Sequence, residues 1–129
     1  MDATVQVVAA DGLYRRIRRM HLNDDGSVRP NVFLRVNKKR REPDPEVSVD
    51  LQRFSTAEES ANRGRNPPSG VLGFLAEIPM KEKLDVLHRP LDDNYAHAQI
   101  EGLDRLDNYL EIIDRMLESG ISVVIEPAK

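Results

Sequence analysis

No cysteine occurs in the 129 residues, so disulfides, thiolate metal centres and a thiol nucleophile are all excluded. Tryptophan is absent as well, and three Phe with three Tyr are the whole aromatic complement. Aliphatic side chains therefore have to build the core. No apolar run approaches the ~20 residues that cross a bilayer, so no membrane association is expected. The chain does not open with a basic stretch followed by an apolar one, so no secretory signal is expected either. With no disulfide framework, the expected location is the cytoplasm. The glycine-rich phosphate loop, the dinucleotide fingerprint, the nucleophile elbow and the paired-histidine helix of metalloproteases are also missing. The common enzyme classes lose weight accordingly.

What is present suits one small domain spanning residues 1–129. Hydrophobic residues make up 40% of the chain and charged residues 32%, the latter above the usual quarter. The net charge of −3 hides a split. Residues 1–41 hold ten Lys/Arg against four Asp/Glu, and residues 42–129 hold nine against eighteen. The basic first third either faces a partner or is matched by the acidic remainder on folding.

Periodicity and punctuation divide the chain into short elements. Thr4–Val8 is β-branched and reads as a strand. Asp11-Gly12 marks a turn, and residues 13–20 read as a strand pairing back on the first. Residues 32–36 read as a further strand. The connection 37–46, with Lys38, Lys39, Arg40 and Arg41 ahead of Pro43 and Pro45, reads as exposed. Val47-Ser48-Val49-Asp50-Leu51 alternates strictly, which predicts a half-buried strand with Ser48 and Asp50 on its polar side. Ser55 and Glu58 have capping-box spacing for a short helix over 56–63, with Gly64 as its stop. The apolar run Val71–Ile78 suits a central strand ended by Pro79. Residues 84–88 suit another strand, while 95–100 fits helix or strand. Leu103, Leu106, Leu110, Ile113 and Leu117 form one stripe of a helix over 103–118. Gly120 ends it, and a closing strand follows over 121–125. The expected fold is α+β, a single domain with a mixed or largely antiparallel sheet of about five strands.

Candidate sites are few. Arg15, Arg16, Arg18 and Arg19, with Lys38 to Arg41, could neutralise the phosphates of a nucleic acid. Only Tyr14 and Phe33 lie near enough to supply stacking. His21, His88 and His97 match no ligand spacing, so neither a metal site nor a cofactor is expected. Asp24-Asp25-Gly26 lacks the alternating acids of a calcium loop and reads as a turn. The loop Asp92-Asp93-Asn94-Tyr95-Ala96-His97 could set His97 as an acid or base beside Ser48 or Asp50. Ser48, Asp50 and His97 are thus the candidate catalytic residues.

Three segments in order carry a resemblance. They are Leu13-Tyr14-Arg15-Arg16-Ile17, then Val47–Leu51 leading into the helix from Ser55, then Val71 to Pro79. The layout resembles that of compact ADP-ribosyltransferase-type folds, including the small NAD-degrading toxins of the RES type. The resemblance implies NAD as substrate, Arg15 or Arg16 on the phosphates of the nicotinamide nucleotide, and Ser48 near the ribose. The residues taken alone lead instead to a small non-catalytic interaction or accessory domain of a bacterial-type protein, with a protein partner. An NAD-directed transferase and a nucleic-acid binder are the alternatives.

Overall fold

The computed structural model describes residues 3–36, 41–43, 45–63 and 67–128. Eight strands occur among them: β1 (Gly12–Ile17), β2 (Leu34–Val36), β3 (Arg41–Pro43), β4 (Glu46–Leu51), β5 (Gly70–Leu75), β6 (Asp85–His88), β7 (His97–Glu101) and β8 (Ser122–Ile125). Six form one antiparallel sheet in the order β6-β7-β4-β1-β5-β8, and β2 pairs with β3 in a separate ribbon. The helices are α1 (Ala57–Asn62), α2 (Glu77–Lys81) and α3 (Tyr109–Glu118). The α+β class and the single compact domain expected from the sequence are what is seen. No helix among the described residues is long and apolar enough to cross a membrane.

Alternation along the strands gives the sheet two different faces. One carries Leu13, Ile17, Val47, Val49, Leu51, Leu72 and Phe74, all buried in a single cluster. Ile112, Ile113 and Met116 of α3 close over this face together with Val32 and Phe33 of a 3-10 turn at Pro30–Phe33. The Phe33 and Phe74 rings meet edge to face, centroids 6.1 Å apart. Each such side chain contributes about 1.5–3 kcal/mol by leaving water. The opposite face carries Tyr14, Arg16, Ser48 and Asp50. There α1 packs against β1, β5 and β8 and buries Ala57, Ser60 and Ala61.

Several elements sit differently from the expectation, each for a local reason. Thr4–Val8 joins no sheet. Its backbone is tied to side chains instead: the Val5 N–H donates to His88 Nδ1 at 3.0 Å, and Arg53 Nη2 donates to the Gln6 carbonyl at 2.9 Å. It straps over the rings of Phe54, His88 and Tyr95, which pack on one another. Accordingly β1 pairs with β4 and β5, not with this segment, and it ends at Ile17 before a 3-10 turn at Arg19–His21. The 32–36 strand is half a 3-10 turn, and only Leu34–Val36 is extended. The helix cap lies one residue on: the Thr56 hydroxyl accepts from the Glu59 N–H at 3.1 Å while Glu59 accepts from Thr56 N–H at 2.9 Å. Gly64, expected as its stop, lies outside the described residues, as do Lys38, Lys39 and Arg40 of the expected connection. Within that connection, Arg41–Pro43 is a strand.

Pro79 does not end a strand; it sits in the first turn of α2, where its missing N–H is one the helix leaves unpaired anyway. Residues 97–101 are strand. The largest change is in the helix expected over 103–118. Gly102, at φ +112°, turns the chain into a 3-10 turn over Leu103–Arg105, and α3 begins only at Tyr109. Its buried stripe is Ile112, Ile113 and Met116, while Leu110 is 51% exposed. Both stripes satisfy helical spacing and share Ile113, but Ile112 and Met116, not Leu110, complete the buried one.

Ile113→Asp should abolish the cooperative thermal transition, because it buries an unpaired charge in the cluster. Leu110→Asp should stay within about 0.5 kcal/mol of the parent, as surface substitutions do. Thermal or urea unfolding of both variants checks the assignment, and equal losses would contradict it.

Candidate functional site

The strand pairings bring four of the five candidate residues together. Tyr14 faces Asp50 across β1 and β4, and Asp50 faces His97 across β4 and β7. Ser48 lies two residues from Asp50 on the same side of β4, opposite Gln99. Arg16, two residues on from Tyr14, shares that face. Arg15 alternates to the other face.

Asp50 is the centre of this group, 2% exposed although the pattern predicts an open polar side. An uncompensated carboxylate there would cost several kcal/mol. Three hydrogen-bond donors and a second guanidinium prevent that. Ser60 Oγ of α1 donates to Oδ2 at 2.7 Å, and Asn94 Nδ2 donates to Oδ1 at 2.8 Å. Arg63 Nη1 lies 3.2 Å and Arg16 Nη1 3.5 Å from Oδ2. Ser55 Oγ extends the group, 2.9 Å from Ser60 Oγ and 3.4 Å from Arg63 Nη1. Burial by itself raises the pKa of Asp50. The bonds from Ser60 and Asn94, with the charges of Arg16 and Arg63, outweigh it and hold the carboxyl below its ordinary range. Asp50 is ionised at neutral pH.

His97 and Ser48 form the second contact. His97 Nδ1 lies 2.8 Å from the Arg89 carbonyl, and its Nε2 lies 3.3 Å from Ser48 Oγ. A carbonyl only accepts, so Nδ1 carries the hydrogen. In the neutral ring Nε2 is then the acceptor, and the Ser48 hydroxyl donates to it. The ring is 5% exposed and Ser48 only partly buried. The expected neighbour relation between His97 and Ser48 is present, whereas no bond joins His97 to Asp50 among the described residues.

Arg15 is turned to another task. β1 and β4 pair only at Leu13–Leu51 and Tyr14–Asp50 and then part. Arg15 Nη1 donates to the Ser48 carbonyl at 2.6 Å, and Nε and Nη2 donate to the Val32 carbonyl at 3.1 and 2.9 Å. The guanidinium thus replaces ladder bonds where the strands separate. Of the four cations expected to meet a partner, Lys38, Lys39 and Arg40 lie outside the described residues, and Arg41 is placed in β3 by its backbone. No group of three or more His, Asp or Glu suited to a metal occurs among the described residues.

Ser60, Arg63 and Asn94 belong to this candidate group and were not singled out from the sequence. The available signal was weak: a serine between small Ala57 and Ala61 in a capped helix, and an asparagine inside an acidic loop. Another perturbed group is His21, which is partly buried. Burial, then the charges of Arg15, Arg18 and Arg29, lower its pKa from 6.5 to about 4. Its Nδ1 accepts from the Arg18 N–H at 2.9 Å, closing the turn.

No family model, curated protein or solved structure matches this chain. The layout resemblance to ADP-ribosyltransferases gains nothing from these comparisons.

Acid sensitivity follows from the two shifts. The unfolded chain binds a proton at His21 more readily than the folded one, so stability is complete above pH 6.5 and falls as pH drops towards 4. The contribution of Asp50 is held above its ordinary pKa of 3.8 and is lost only in stronger acid. Thermal midpoints measured across this range should decline in two stages. His21→Gln should flatten the first stage and leave the second.

Proposed function

We propose that the protein is a binding domain for a small anionic ligand, of the phosphate-bearing class, taken on the polar side of the sheet beside α1. The observation that carries this reading is the charge balance around Asp50. Two guanidiniums converge on one carboxylate oxygen, and their side chains remain 32% and 23% exposed. Each spends a single nitrogen on Asp50 among the described residues. A guanidinium has five N–H donors in a fixed fork that matches phosphate. The buried carboxylate orients both forks and leaves one positive charge over, which is preorganisation for a second anion.

This reading keeps a binding domain and puts a small ligand in place of the protein partner expected from the sequence. NAD-directed ADP-ribosyl transfer remains the second reading, supported by Ser48 and His97 standing on the same face as Arg16. Under it the phosphate-binding role belongs to Arg16, since Arg15 is committed to two backbone carbonyls. Nucleic acid is the third, and its basic residues 38–40 lie outside the described part of the chain.

Titration with pyrophosphate, ADP-ribose and NAD, followed by calorimetry and amide shifts, should give saturable binding centred on β1, β4 and α1. Arg16→Lys and Arg63→Lys keep a positive charge over Asp50 but remove the fork. Together they should weaken binding about tenfold or more, the worth of one charge-assisted bond. Absence of binding at millimolar ligand, or binding indifferent to both changes, would overturn the proposal. Nicotinamide release that depends on Ser48 would favour the transferase reading. Affinity rising with oligonucleotide length, with a steep salt slope, would favour nucleic acid.

A further inference from the structure

The contact between Ser48 and His97 carries an inference beyond binding. Its three parts have the logic of an activated nucleophile: a hydroxyl, a base within reach of it, and a third group that orients the base. His97 is held from both sides, with Nδ1 on the Arg89 carbonyl and Nε2 on the Ser48 hydroxyl. Its backbone is fixed as well, since β7 pairs with β4 on one side and β6 on the other. The Arg89 N–H donates to the His97 carbonyl at 3.0 Å, closing the hairpin next to the ring. The ring therefore has no freedom to change tautomer without losing a bond. The separation of 3.3 Å from Nε2 to Oγ is the looser spacing usual before a substrate is bound.

We infer that Ser48 is a nucleophile and His97 its general base, acting on carboxylic esters. Where the ester carries an anionic group, Arg16 on the same face as Ser48 is available to hold it, and that detail rests on the binding proposed above. In the first step Ser48 Oγ bonds to the carbonyl carbon while its proton passes to His97 Nε2. The ester C–O bond then breaks, and the leaving oxygen takes that proton from Nε2. Water follows the same course: it gives a proton to His97, attacks the acyl-serine carbon and releases the carboxylic acid. Ser48 Oγ recovers the proton. The balance is one ester and one water giving an acid and an alcohol, with no change of oxidation state.

Treatment of the intact protein with an uncharged fluorophosphonate, read by mass spectrometry and peptide mapping, tests the inference. Stoichiometric modification of Ser48 is expected, and it should be lost in Ser48→Ala. His97→Gln should slow it at least about a hundredfold, in line with the loss of a general base. Gln99→Ala, across the strand pair from Ser48, should label at the parent rate. No modification, modification elsewhere, or an unchanged rate in folded His97→Gln would overturn the inference. Should His97→Gln fail to fold, Ser48→Cys serves instead. Its alkylation at neutral pH should exceed that of free cysteine if the ring activates the position, and an ordinary rate would count against it. Pyrophosphate binding is measured on the same samples as the labelling. Lost labelling with intact anion binding would therefore remove only the nucleophile, and the converse only the anion site.

Discussion

The carboxylate of Asp50 is the constraint on which the polar half of this structure depends. It stands on β4, between β1 and β7, and is withdrawn almost wholly from water. Its partners come from four separate places: Arg16 on β1, Ser60 in α1, Arg63 just after α1, and Asn94 in the loop between β6 and β7. One side chain thus ties a short helix and a hairpin loop to the middle of the sheet. An isolated helix of six residues has no stability of its own. Here its capping box fixes one end and the Ser60 bond fixes its height over the strand. The geometry of Arg16, Arg63, Ser48 and His97 follows from that anchoring.

The apolar face works by a different rule. Its cluster is aliphatic apart from Phe33 and Phe74, as a chain without tryptophan requires. Burial there is non-directional, so many sequences would serve, whereas the Asp50 group is directional and tolerates little. Removing one partner from a buried, satisfied carboxylate leaves a charge without compensation, at about 3–5 kcal/mol. Loss of a methyl from the cluster costs about 1 kcal/mol. The polar group therefore defines one arrangement more sharply than the core does.

These two rules explain what could be read from the sequence. Strict alternation in Val47–Leu51 gives β4 and its two faces directly, and apolar runs give β5 and β6. Alternation cannot tell that α1 will fold over the polar side, so Asp50 reads as exposed when it is buried. The pairing of His97 with Ser48 needs β4 and β7 to be neighbours, a contact between residues 49 apart. No local pattern reports it. Thr4–Val8 has the composition of a strand, but the strap is set by His88 and Arg53, far along the chain. The start of α3 was misread because helical spacing admits two stripes over 103–118, and only the partner surface chooses between them.

Coverage of the polar face is uneven. Helix α1 packs on β1, β5 and β8. It reaches β4 through the bond from Ser60 to Asp50, while Ser48, Leu87, Gln99 and Glu101 are only partly buried. An antiparallel sheet commonly leaves one face wet, with its polar side chains exposed singly. Here the side chains at the margin of α1 are neither exposed nor single. Asp50 and His97 are buried, and each is bonded to a neighbour that is not: Arg16 and Arg63 on one, Ser48 on the other. A buried, oriented group behind a partly exposed polar one is the arrangement that fixes a donor or a base before any ligand arrives. A surface needed only for solubility gains nothing from it.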